Sequence, residues 1–149
     1  MNCYDNFKEI ETQFSKTSEI SCKYLEHNEE SLAIFKISGE LADGTAGEKD
    51  GLYIYQKLVL AIITNEPNAV LVDMRELTYN YGTSIVQLLD AFLKIKIFGN
   101  EQILSVFVIS DKNKYGLSSL CQFDPNKPRK PFFLDFEKGS YFLFSLFSC

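Results

Sequence analysis

AVLVDMRELTYNYGTSIVQLL occupies residues 69–89. Ala69, Val70, Leu71 and Val72 form a continuous apolar run, Asp73 interrupts it, and Met74 resumes it. An apolar run of this length between turn signals predicts a strand over residues 69–74, covered on both faces as in a parallel sheet. The turn TYNYG follows, and apolar residues then recur at helical spacing over residues 84–97. Gln87, Asp90 and Lys94 form a narrow polar stripe on that helix, with Asp90 one turn from Lys94. The rest of the helix is apolar, so it is buried or meets a partner. Phe98, Gly99 and Asn100 end it.

Upstream, Leu52, Tyr55, Leu58, Val59, Ile62 and Ile63 mark one face of a helix. Pro67 in NEPN stops it. GELADGTAGEKDG before it lacks both GxGxxG and GxxxxGK[ST], and reads as a flexible loop. EISCKYLEH and SLAIFKIS flank the polar break NEE and predict an antiparallel hairpin. Phe7, Ile10 and Phe14 are spaced for an amphipathic helix over residues 5–17. Downstream, ILSVFVIS predicts a buried strand over residues 103–110, and DKNKYGLSSLCQF a loop and short helix. DPNKPRKP is a surface connection, FFLDF a last strand and EKGSYFLFSLF a last helix. The order predicts a single α/β domain over residues 1–149. It has a mixed, mostly parallel sheet, an N-terminal hairpin and helices packed on the sheet.

A formal net charge of −5 over 149 residues argues against nucleic-acid binding, which favours a basic patch. KPRK sits between prolines and reads as a solvated loop. The first residues lack a basic and then apolar leader pattern. No apolar run approaches the roughly 18 residues of a membrane span, so a cytoplasmic chain without membrane contact is expected. Cys3, Cys22, Cys121 and Cys149 are widely spaced, and His27 is the single histidine. Neither a metal nor another cofactor is expected.

Asp73 and Asp111 fall at or just past the C-terminal ends of two predicted parallel strands, the ligand edge of an open α/β sheet. Paired there, they could do acid–base work. The alternatives are loop capping, or pairing of Asp73 with Arg75 or Lys112. Ser84 and Cys121 are the available nucleophiles, but His27 lies in the hairpin turn, far in sequence from both. Cys121 reads as a small core residue, and no enzyme is expected. Tyr79, Asn80 and Tyr81 crowd the turn, with Tyr53, Tyr55 and Tyr115 in reach of it. Tyrosine serves both core plugs and interface hot spots.

SLAIFKISGEL, a helix, AVLVDMRELTY, a turn and a buried helix together resemble the STAS domain of anti-sigma-factor antagonists, over about residues 32–109. That resemblance implies an Asp-Ser-Ser-Gly turn presenting a phosphorylatable serine at a helix start. Here the turn is NYGTS. Tyr81 stands where the aspartate would lie and Gly82 where the serine would lie, with Thr83 and Ser84 as the neighbouring hydroxyls. The layout with FLDFEKGSYFLF is also similar to the crotonase core, which would imply an acyl-thioester ligand.

Small size, acidity and the tyrosine turn favour a non-catalytic protein-binding module. The leading expectation is a protein that neutralises a basic partner such as a toxin or nuclease, as an immunity protein or antitoxin does. A STAS-like switch phosphorylated at Thr83 or Ser84, or a small crotonase-like enzyme, are the alternatives. Partner contact is expected at Tyr79, Asn80, Tyr81, Asp73, Asp111 and Tyr115.

Overall fold

A computed structural model describes residues 4–10, 18–94, 96–97 and 101–147. Its strands are β1 (Phe7–Ile10), β2 (Ser21–His27), β3 (Leu32–Glu40), β4 (Ala69–Thr78), β5 (Lys96–Ile97), β6 (Glu101–Gln102), β7 (Leu104–Val108) and β8 (Phe132–Phe133). Its helices are α1 (Glu48–Asn65), α2 (Val86–Lys94), α3 (Lys114–Cys121) and α4 (Phe136–Phe147). The main sheet runs β1-β2-β3-β4-β7-β8, and β5 and β6 form a separate small ladder. β1 to β3 are antiparallel, whereas β3, β4, β7 and β8 are parallel. The mixed, mostly parallel α/β sheet and the hairpin read from the sequence are both present.

The alternation of side chains along the central strands fills two cores. Ala33, Phe35 and Ile37 of β3 and Val70, Val72 and Met74 of β4 pack with α1, α2 and α3. Leu32 and Ile34, Ala69 and Leu71, and Val106 and Val108 of β7 face α4 through Phe136 and Leu143. This double cover is why the 69–74 run carries almost no polar residue.

Four sequence expectations change. Phe7–Ile10 is an edge strand rather than the start of a helix, while residues 11–17 lie outside the described residues. Residues three apart in a strand point to opposite faces, and a core lies on each: Phe7 packs on the α4 side and Ile10 on the α1 side. A spacing that suits a helix therefore also suits a strand at the rim of a doubly covered sheet.

Between Leu52 and Ile63 only Gln56 and Lys57 of α1 are polar, and its buried face is Gly51, Tyr53, Ile54, Lys57, Leu58, Ala61 and Ile62. Leu52 and Ile63, expected inside, are exposed. The helix is set by close backbone approach at Gly51, where an added Cβ would stand 2.0 Å from the Ser84 carbonyl oxygen.

The helix expected over residues 84–97 is the shorter α2, with Lys96 and Ile97 in a strand. The glycine-rich segment is ordered rather than a flexible loop. Gly39 belongs to β3, Gly44–Gly47 is a 3-10 turn and Gly51 is helical.

Candidate functional site

Three loops meet at the C-terminal edge of the parallel strands. The Tyr79 N–H donates to the Lys112 carbonyl (3.1 Å), the Gly44 N–H to the Tyr81 carbonyl (3.2 Å), and the Leu41 N–H to the Thr78 carbonyl (2.8 Å). The Tyr79 hydroxyl donates to the Gly82 carbonyl. Gly82 has φ +117°, and a Cβ there would stand 2.9 Å from the Gly44 nitrogen. At Gly116 a Cβ would stand 2.5 Å from the Asn80 carbonyl oxygen. The backbones of segments 41–47, 79–84 and 111–116 are thus locked together by close approaches that only glycine permits.

Asn113, which sequence reasoning missed, holds the third loop. Buried, it donates through Nδ2 to the Met74 (2.6 Å) and Leu77 (2.9 Å) carbonyls and accepts at Oδ1 from the Ser110 N–H (3.1 Å). The visible signal was an asparagine just before a helix, which also fits an ordinary cap.

Of the expected contact residues, Asn80, Tyr81, Asp111 and Tyr115 are exposed at this edge. Tyr81 and Tyr115 are each 61% exposed. Tyr79 is corrected to the core: it is 1% exposed, sealed under the turn by its own hydrogen bond, and burial pushes its hydroxyl pKa up. Tyr53 is also buried.

Asp73 is likewise corrected. β4 continues to Thr78, so Asp73 is mid-strand, buried on the α4 face and away from the loop edge. Its Oδ1 accepts from the Arg75 Nε and its Oδ2 from Nη2, both at 2.9 Å, and the Tyr4 hydroxyl donates to Oδ2 at 2.5 Å. The Arg75 guanidinium also lies 4.5 Å over the Phe136 ring. Burial pushes the Asp73 carboxyl up, but the Arg75 and Tyr4 hydrogen bonds outweigh it and hold the carboxyl below its usual range. Burial, reinforced by Asp73, pushes the Tyr4 hydroxyl up. The pairing of Asp73 with Arg75 is therefore the structural alternative raised from the sequence.

Asp111 pairs instead with Lys114 at 2.8 Å, and Lys112 with Glu76 at 2.9 Å. The structure does not bring Asp73 and Asp111 together as an acid–base pair.

At the start of α2 the two hydroxyl residues differ. Thr83 is exposed, and its carbonyl accepts from the Val86 N–H at 3.1 Å, the first turn of the helix. The Ser84 Oγ is buried without a hydrogen-bond partner among the described residues, facing Gly47. Cys121 is half-buried, as a small residue against the core, and burial pushes its thiol up. His27 ends β2, where its Nδ1 accepts from the Glu29 and Glu30 N–H groups at 3.1 Å. Among the described residues no three His, Cys, Asp or Glu side chains are grouped to hold a metal ion. No described helix is long and apolar enough to cross a membrane.

No family model matches the chain, and no curated protein matches it in sequence. In three-dimensional structure the chain is similar to a solved protein, the crystal structure of an anti-sigma factor antagonist from Mycobacterium paratuberculosis. It superposes with a TM-score of 0.61 at 13% identity, over 87% of this chain and 98% of that one. The shared property is the fold. The STAS-like layout read from residues 32–109 is thereby found in the three-dimensional arrangement.

Proposed function

We propose that the chain is a non-catalytic, STAS-like regulatory module that binds a protein partner through the loop edge around residues 80–84, with Thr83 as its phosphorylation site. The observation that carries this reading is the exposed residue Thr83, in the turn that leads into α2 and two residues from the exposed Tyr81, in a fold shared with an anti-sigma factor antagonist. A kinase needs a hydroxyl it can reach, and this favours Thr83 over the buried Ser84 Oγ. A phosphate at Thr83 would add about two negative charges at a helix N-terminus and inside the contact surface. Tyr81 supplies an aromatic anchor of the kind that dominates interfaces.

Neutralisation of a basic toxin or nuclease rests on small size, acidity, the tyrosine turn and the lack of a catalytic constellation. The shared fold supports a regulatory partner instead. Four widely spaced cysteines without CxxC spacing suit work in the cytoplasm.

The test is affinity capture from the cells that make the protein, with the wild-type chain, Tyr81→Ala and Tyr141→Ala as baits. Tyr141 lies on α4 and is 79% exposed, so it controls for loss of any exposed ring. One protein should be held stoichiometrically by the wild type and by Tyr141→Ala, and lost with Tyr81→Ala. Equal capture by all three would move the interface elsewhere, and capture by none would remove the proposal.

A further inference from the structure

On the α4 side of the sheet lies a polar groove of about 590 Å³. It is lined by Ser21 and Lys23 of β2, Lys36, Ser38 and Glu40 of β3, Glu76 and Thr78 of β4, and Lys112. No residue of α4 and none of residues 79–84 lines it, and it meets the turn assigned above through Lys112, whose carbonyl accepts from the Tyr79 N–H.

Lys23 and Lys36 are directly opposite in the β2–β3 ladder. Like charges facing one another across neighbouring strands repel. Their surroundings answer that repulsion only in part. Lys23 reaches Glu9 at 3.9 Å with both side chains half exposed, and Lys112 holds Glu76 at 2.9 Å. Lys36 lies 5.6 Å from the centre of the Tyr4 ring and attracts the Glu76 carboxylate from a distance, but forms no ion pair within 4.0 Å among the described residues. Asp73, its register neighbour on β4, is already taken up by Arg75 and Tyr4. The lining thus offers ammonium groups from Lys23, Lys36 and Lys112 and hydroxyls from Ser21, Ser38 and Thr78, against the carboxylates of Glu40 and Glu76.

We propose that this groove binds a small phosphate monoester on a polar, hydroxylated carrier, with the phosphate between Lys23 and Lys36. A tetrahedral dianion neutralises both ammonium groups at once, and its several oxygens can accept from the hydroxyls. The volume falls within the range of small-molecule sites and exceeds what a bare phosphate fills. The polar walls select a hydroxylated carrier over an apolar one.

Titration calorimetry on the whole chain tests this with glucose 6-phosphate, glycerol 3-phosphate, inorganic phosphate and glucose as probes. At least one ester should bind saturably and more tightly than inorganic phosphate, glucose should not bind, and added salt should weaken the ester. Lys36→Gln and Lys23→Gln should each weaken the ester at least about tenfold. Lys23 is exposed, so Lys23→Gln keeps the fold, as circular dichroism and Tm will show. Neither ester binding up to about 10 mM would overturn the assignment. So would glucose or inorganic phosphate binding as tightly as the esters, or unchanged affinity in both lysine variants.

Discussion

At the scale of single residues, Asp73 shows how one polar side chain is tolerated in a covered strand. It is buried with two oxygens and four donors around it, the Arg75 N–H, Nε and Nη2 and the Tyr4 hydroxyl, whereas the Arg75 side chain is 38% exposed. That asymmetry predicts unequal variants. Arg75→Met leaves a buried carboxylate without its counter-charge and should cost about 3 kcal/mol in a denaturant titration. Asp73→Asn removes the charge, and the released guanidinium reaches water, so it should cost less, about 1–2 kcal/mol.

The same group sets a pH dependence. Its pKa is depressed in the folded chain, so its stabilisation is complete above the ordinary carboxylate value of about 4 and is lost as pH falls through the lower, folded value. Wild-type stability should therefore fall more steeply than that of Asp73→Asn on acidification below about pH 4.

The turn tyrosines divide in a similar way. Tyr79→Ala should cost about 3–5 kcal/mol, as other large buried aromatics do, and Tyr81→Ala should stay within about 0.5 kcal/mol. Equal costs would contradict the burial of one ring and the exposure of the other. In the sequence these two residues look alike. What separates them is the Gly82 conformation, which folds the Tyr79 hydroxyl back onto the turn.

At the scale of elements, legibility followed how strongly the pattern constrained the face. The 69–74 run is legible as a doubly covered strand because it is short, apolar and bounded by the turn signals NEPN and TYNYG. The hairpin of β2 and β3 was marked by its polar break. α1 is legible as a helix, but its buried face is not, because apolar residues spread over most sides of residues 52–63 leave no periodic signal strong enough to choose one. Gly51 and Ala61, small residues on the inward side, choose it instead. Ile62→Ala should accordingly cost about 2–5 kcal/mol, whereas the adjacent, exposed Ile63→Ala should change stability by no more than about 0.5 kcal/mol. Gly51→Ala is a sharper probe. Helix propensity alone would favour the change by about 1 kcal/mol. The Cβ, 2.0 Å from the Ser84 carbonyl oxygen, must push α1 away from the turn, and net destabilisation is the expected result. The β1 strand was misread for the reason already visible in its packing: one spacing serves two geometries when cores lie on both sides.

At the scale of the whole molecule, the β-α-β order determined the architecture and the loop edge where residues 80–84 lie, because parallel strands need crossovers of fixed hand. Which residues stand open at that edge was not readable. It depends on glycine-mediated contacts between loops far apart in the chain, Gly44 with Tyr81 and Gly116 with Asn80. The reading of the chain as a phosphorylation-controlled binding module rests on that edge, and Thr83 is its most exposed commitment. The direct measurement is the dissociation constant of the captured partner for the unmodified chain and for the chain phosphorylated at Thr83, with Tm recorded for both. Binding at least about tenfold weaker after phosphorylation, at undiminished Tm, is the predicted result. Equal affinity of the two forms would contradict the assignment of residues 80–84 as the regulated contact surface.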